Sequence, residues 1–471
     1  MKSSSSKMKS FDYSTYLSPF TWRYGGEKMR KIWSEINKRK LWRKIWVELA
    51  KAQHKEGLVS KKELDDIVKN QDKINIEKSH ETEKVIKHDL MAEIKVYSSQ
   101  TKIGGGKIHL GATSYDIEDN ADTIRYKESL MLIEKNLKNL LSEFGGKIKE
   151  YKDLPCMAYT HLQPAEPTTL GYRFANYAQD LLLDLNLLDF VKNNLKGKGI
   201  KGAVGTSASY VKLTSESKAE DMEKKIMENL GIDSVDIATQ ISPRKNEYFI
   251  SSFLSSVSQT LNKIAFDIRI MQSPGFGEWQ EPFAAKQIGS SAMPFKKNPW
   301  KSEQICSLAR VVSNLSNISK DNSSNMLLER TLDDSANRRV YLPEMFLATD
   351  EILQSAIKII EGLIINKNKI EKNLNTYGPL AITEVVLMTA VKNGANRQKT
   401  HEVLRELSMK ALDEIQRKQT NPLTRLIIYD KRITQFVKVG ELKKLFDPKT
   451  HIGLAPKKCR KMIKDIQQIL Q

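Results

Sequence analysis

Cysteine is too sparse here to build anything. Among 471 residues there are three, Cys156, Cys306 and Cys459, too far apart and odd in number for a disulfide framework or a zinc cluster. That usage fits a reducing compartment. The seven histidines contain no HExxH or HxxxH pair, so no metal site is expected. No run approaches the ~18 apolar residues of a membrane span. The N-terminus, MKSSSSKMKS, has no apolar centre of the kind a secretory signal needs. Residues 1–15 are expected to form a disordered tail, and the protein to be cytoplasmic with no membrane partner.

Positive charge is in excess: 76 Lys and Arg against 57 Asp and Glu give a net charge of +19. The basic residues are spread along the chain and interleaved with acids. Neither a basic element nor a stacking platform stands out, so nucleic acid is not an expected partner. A positive field would instead steer a small anionic metabolite.

Apolar residues recur at helical spacing over most of the length. The pattern predicts helices over 27–55, from 61, over 83–101, 117–151, 172–195, 246–272, 299–319 and 340–365. The central ones are apolar around much of their circumference, which indicates burial on several sides. Long helices with Gly- and Pro-containing connections describe a bundle. The expected division is an N-terminal helical domain over 16–112, a central long-helix domain over 113–365 and a small helical domain over 366–471. Gly197, Gly199 and Gly202 spell GxGxxG, but a dinucleotide fingerprint needs a strand before it, and a helical pattern precedes this one.

Polar clusters collect between the helices. The segment Gly289 to Glu303, GSSAMPFKKNPWKSE, places two serines, Lys296 and Asn298 on a Pro-punctuated loop. Hydroxyls, a cation and an amide on such a loop suit an anionic substrate that must be enclosed before chemistry. Further clusters are Arg23-Tyr24, Lys87-His88-Asp89, His109 with Thr113-Ser114, Thr160-His161 in a Pro-rich loop, and the crowd from Arg330 to Arg339. Each alone has a plain structural reading; Thr113-Ser114 followed by Asp116, for example, reads as a helix cap.

Taken together, the clusters resemble one family. GSSAMPFKKNPWKSE resembles the flexible signature loop of the fumarase/aspartase superfamily. HLGATSYDIEDNAD (His109 to Asp122) and THLQPAEPTTLG (Thr160 to Gly171) resemble its two other shared regions. ERTLDDSANRR (Glu329 to Arg339), Arg23-Tyr24 and GANRQKTHE (Gly394 to Glu402) are similar to the adenylosuccinate lyase branch.

The resemblance implies an all-α, three-domain fold whose long central bundle is shared in a homotetramer, with each active site drawn from three chains. It implies anti β-elimination of fumarate from adenylosuccinate to give AMP, and from SAICAR to give AICAR, in purine biosynthesis without cofactor or metal. Ser290 then matches the general base and His161 the general acid. Lys296 and Asn298 would hold the succinyl carboxylates, and Glu303 would position His161. His88, beside Asp89, and His109 match the other site histidines, and Thr113 and Ser114 match carboxylate-binding positions. Thr160 and Gln240 would contact the succinyl group or the nucleotide. Arg23, Tyr24, Ser335 and Arg339 match a phosphate cradle, and Arg330 a nucleotide contact.

Two positions depart from the pattern. Ser207 stands where relatives carry a substrate-binding Gln, and Gln304 where some carry Arg. Both bear on substrate affinity rather than on the acid or base. Argininosuccinate lyase and fumarase share the signature loop but give no reason for Ser335 and Arg339. A non-catalytic structural protein on this fold gives none for Ser290 and His161.

Overall fold

A computed structural model describes residues 13–418 and 420–470. Most of the expected N-terminal tail, residues 1–12, lies outside them. Tyr13 is described, and its ring packs edge-on against Trp22. The N-terminal helices are α1 (Glu27–Ile32), α2 (Glu35–Lys55), α3 (Lys61–Asn70), α4 (Ile76–Ile86) and α5 (Asp89–Gln100). Two helices predicted as continuous are broken. Ser34 interrupts the first by capping α2, its side chain accepting from Asn37 N. Lys87, left-handed at φ 58°, ends α4 before α5 starts.

Three long helices follow the expected pattern: α6 (Ser114–Tyr151), α7 (Leu170–Asn194) and, after α8 (Ala208–Leu213) and α9 (Glu216–Leu230), α10 (Lys245–Gln272). Two more are α11 (Trp300–Ser324) and α12 (Asp333–Glu361), and the C-terminal part begins with α13 (Lys367–Ala381), α14 (Thr383–Lys392) and α15 (Arg397–Lys418).

The segment read as a Pro-rich loop before α7 is instead an antiparallel hairpin of β1 (Pro155–Thr160) and β2 (Gln163–Thr169). By length and composition alone, Lys367–Lys392 is apolar enough to cross a membrane. Ile382 separates it into α13 and α14, whose Val386, Leu387 and Ala390 are buried in a cluster with Leu404, Leu407 and Ile427. Core helices of this kind meet the same criterion.

The chain forms two compact units, and neither is continuous. The first comprises Met1–Asn136, Asp184–Gln259 and Ser307–Leu353, and the second Leu137–Leu183, Thr260–Cys306 and Gln354–Gln471. Every one of the five long helices is divided between them. The first unit packs Trp42, Ile45, Trp46 and Leu49 of α2 with Leu90, Tyr97, Ile117, Met222 and Ile226.

Candidate active site

In the first unit, Arg23 is exposed, with its guanidinium 5.7 Å from the Tyr24 ring. The pair is fixed by the next two residues, whose N–H groups donate into α12: Gly25 to Glu351 Oε2 at 3.0 Å and Gly26 to Asp350 Oδ2 at 2.7 Å. Gly25 has φ +81°, and a Cβ there would meet Leu347 Cδ2 at 2.7 Å, so only glycine fits.

His88 caps α5 with Nδ1 accepting from Met91 N, and its ring is half exposed. Asp89 is ion-paired to Arg339 at 2.8 Å, 250 residues away. Burial pushes the Asp89 carboxyl up, but the Arg339 charge and hydrogen bond, with the Leu90 N–H and the Lys38 charge, together hold it below its usual range. Arg339, expected in the phosphate cradle, and Asp89, expected to bind substrate, thus already neutralise each other.

Ser335 and Arg339 line a cavity of about 140 Å³ with Asp89, Tyr115, Glu118 and Lys38. Glu118 was not foreseen, although it lies one helical turn beyond Ser114, on the same face of α6. Burial, and then the Asp89 charge, push its carboxyl up to about 8. The folded state therefore holds a proton that the unfolded chain releases. The stability carried by the neutral form is full below the ordinary carboxyl pKa of 4.5 and is lost as pH rises towards about 8. Glu118→Gln should remove that loss, so its melting temperature relative to wild type should climb through this window. A constant offset across it would refute the assignment.

His109 is left-handed at φ 69°, and its Nδ1 accepts from Trp46 Nε1 at 3.1 Å. The neutral ring must then carry its proton on Nε2. Burial lowers its pKa to about 4 against an opposing pull from Asp116. It is neutral above that pH and suited to donate to a carboxylate. The stability it carries is full above 6.5 and lost as pH falls towards about 4. His109→Gln should flatten acid unfolding over this interval, as followed by chemical denaturation at a series of pH values. An unchanged profile would contradict it.

Thr113 and Ser114 sit at the start of α6. Thr113 C=O accepts from Asp116 N, and Thr113 N donates to Asp116 Oδ2, both at 3.0 Å, so the helix-cap reading holds for the backbone. Gln240 N donates to Glu329 O at 3.3 Å, tying its loop to the one before α12. Arg330 is engaged with Asp334 at 2.7 Å and with the Tyr115 hydroxyl. Beneath it, Arg244 and Arg338 form a buried network with Asp119, Asp334 and Glu247. No sequence motif pointed to that network. The glycine-rich turn follows α7 rather than a strand, and the Gly199 and Gly202 amides donate to Asn120 and Asp116. Those amides are taken, so it is no dinucleotide site.

In the second unit, Thr160 pairs with Gln163, and His161 and Leu162 form the two-residue turn of the hairpin at φ 54° and 60°. Positive φ at both turn residues is the geometry that suits strand twist, but it normally calls for Asn or Gly. A histidine held there is strained, and strain of this kind gathers at functional sites. The hairpin is anchored by the buried Glu278, which accepts from the Tyr159 hydroxyl at 3.2 Å, Arg173 at 3.4 Å and Asn373 at 2.9 Å.

The signature loop folds on itself. Ser290 Oγ accepts from Met293 N at 3.0 Å and Ala292 N at 3.3 Å. Asn298 Nδ2 donates across the loop base to Gly289 O at 2.9 Å. Gln272 fastens the far end by donating to Lys297 O at 3.0 Å, and Glu281 accepts from Ser302 N at 2.6 Å at the start of α11. Lys296 and Glu303 are exposed. No hydrogen bond joins His161 to Ser290 among the described residues.

A lyase family model matches residues 23–313, and an adenylosuccinate lyase C-terminus model matches residues 379–462. An adenylosuccinate lyase from Saccharomyces cerevisiae is 36% identical over 98% of this chain and 96% of its own. One from Methanocaldococcus jannaschii is 36% identical over 95% of this chain and 96% of its own. Among solved structures, a fumarate lyase from Mesorhizobium sp. BNC1 superimposes with a TM-score of 0.83 at 23% identity, covering 96% of this chain and 99% of that one. A 3-carboxy-cis,cis-muconate lactonizing enzyme from Pseudomonas putida gives 0.86 at 23% identity, with the same coverage. These two likenesses establish the fold.

Proposed function

Because the chain belongs to the adenylosuccinate lyase family, we propose that it eliminates fumarate from adenylosuccinate, giving AMP, and from SAICAR, giving AICAR. Ser290, as alkoxide, removes a proton from the succinyl carbon beside a carboxylate. The electron pair moves onto that carboxylate, the C–N bond breaks, and His161 protonates the leaving nitrogen on the opposite face. Lys296 and Asn298 hold the carboxylates, Asn298 with the second N–H of its amide while the first stays on Gly289 O. Arg23, Tyr24, Ser335 and Arg339 take the phosphate, whose charge would compete with Asp89 for Arg339. His88, His109, Thr113, Ser114, Thr160, Gln240 and Arg330 complete the site, with Glu303 positioning His161.

The observation that carries this reading is the pair of backbone N–H groups aimed at Ser290 Oγ. Donors at that oxygen favour its deprotonated form. The direct test is fumarate release from adenylosuccinate and, separately, from SAICAR. No release from either would end the proposal.

We also propose a homotetramer in a cytoplasmic setting, with segment 113–365 supplying the shared core. The long helices expose Leu183, Phe190 and Phe266 at 57%, 48% and 51%, apolar surface that a subunit contact would cover. The three cysteines are free and buried, as a reducing compartment permits. If each site draws on several chains, inactive Ser290→Ala and inactive His161→Ala subunits, mixed and reassembled, should regain activity. No recovery from a mixture shown to have exchanged subunits would argue for sites contained in one chain.

A further inference from the structure

The glycine-rich turn is an anion cradle that already has an occupant. The Asp116 carboxylate, fully buried, accepts from Thr113 N at 3.0 Å, Lys201 N at 3.1 Å, Gly202 N at 3.1 Å and the Tyr210 hydroxyl at 3.4 Å, and is ion-paired to the fully buried Lys198. Lys198 also donates to Gly202 O at 2.8 Å. Neighbouring backbone amides converging on one anion beside a lysine are the device by which other proteins hold phosphate. Asn120, one turn further along α6, clasps Gly199 through both its N–H and its C=O.

The carboxylate thereby joins two stretches far apart in sequence. One is the start of α6 with Thr113 and Ser114. The other is the turn leading to Ser207, whose N–H donates to Lys201 O at 2.8 Å and whose backbone is left-handed at φ 55°. We propose that Asp116 is a positioning residue for the elimination: by filling the turn from Gly197 to Gly202 in place of an external anion, it holds the Thr113-Ser114 and Ser207 segments in one arrangement around the succinyl group. The inference rests on the functional reading above for what those segments bind. A purely structural ion pair would govern stability and leave substrate affinity alone.

The test uses the assembled enzyme. Asp116→Asn/Lys198→Met removes both charges together, so no buried charge is orphaned. It should keep a melting temperature near wild type while KM for adenylosuccinate rises about tenfold or more, since a shift of about 1 Å in a positioning group can cost about 100-fold in kcat/KM. Amides 199–207 should exchange faster with solvent. Asp116→Ala leaves the cradle open, and formate should restore its KM and slow that exchange, while chloride should not.

A KM within about twofold of wild type in the double variant would overturn the proposal, because misplacement predicts far more. So would an Asp116→Ala enzyme indifferent to formate. If both variants fail to fold, Gly202→Ala carries the test. A Cβ there meets nothing within 4 Å, so only the left-handed backbone at φ +73° is strained. It should raise KM and speed exchange, and an unchanged KM overturns the idea. Exchange is read without substrate, so a wild type that releases no fumarate would sink the functional reading and leave the cradle itself to be judged by exchange alone.

Discussion

Ser290→Ala should lower kcat by about 1000-fold while KM changes little, the range expected when a general base is removed. The hydroxyl oxygen is held by Met293 N at 3.0 Å and Ala292 N at 3.3 Å. A serine is a weak base in water, and two fixed N–H donors stabilise its alkoxide more than its hydroxyl. Alanine removes the reacting atom and adds no bulk. Ser290 lies half-buried on a mostly exposed loop, so the fold has little to lose. KM should hold because Lys296 and Asn298, which clamp the carboxylates in the proposed site, are untouched. Steady-state fumarate release with a matched melting curve is the measurement. Turnover within about tenfold of wild type would place the base elsewhere.

Arg244→Ala should have the largest effect on stability, a loss of about 3–5 kcal/mol, as is usual when one member of a buried charge network is deleted. Its guanidinium reaches Asp334 at 2.6 Å and both Asp119 oxygens at 3.0 and 3.1 Å, with almost no solvent access. Burial would push the Asp334 carboxyl up, but Arg244, Arg338 and Arg330 hold it below its usual range. Removing Arg244 leaves Asp334 with Arg330 at 2.7 Å, but leaves the Asp119 charge only the Ser242 N–H at 2.7 Å and Arg338 at 3.5 Å, which is already bound to Glu247 at 2.6 Å. The melting temperature should fall by about 3–5 °C in a chain of this size. A fall of only a degree or two would mean that the acids find other partners.

The long helices were legible because burial repeats every three to four residues along α6, α7, α10 and α12, and the signature loop because its residues are contiguous. The β1–β2 hairpin was not. Its strands carry three prolines, Pro155, Pro164 and Pro167, and its turn is His161-Leu162 rather than the Asn-Gly or Asp-Gly that marks such turns. What holds it is Glu278, more than a hundred residues later. The Asp89–Arg339 pair was hidden for the same reason: both residues were named as contacts, but nothing local says they meet. Reading each helix start separately also kept Asp116 and the glycine turn apart, although both were in view.

The division of all five long helices between two discontinuous units bears on how the chain is made. The first unit cannot close until Leu353 has left the ribosome, although its opening stretch ends at Asn136. At ordinary rates of synthesis the intervening residues take roughly 10–40 s, and for part of that time the apolar faces of α2 and the first half of α6 lack some of their final partners, Met222 and Ile226 among them. The nascent protein should therefore depend on holding chaperones more than its mature stability would suggest, and neither unit should be obtainable by cutting the gene at one point.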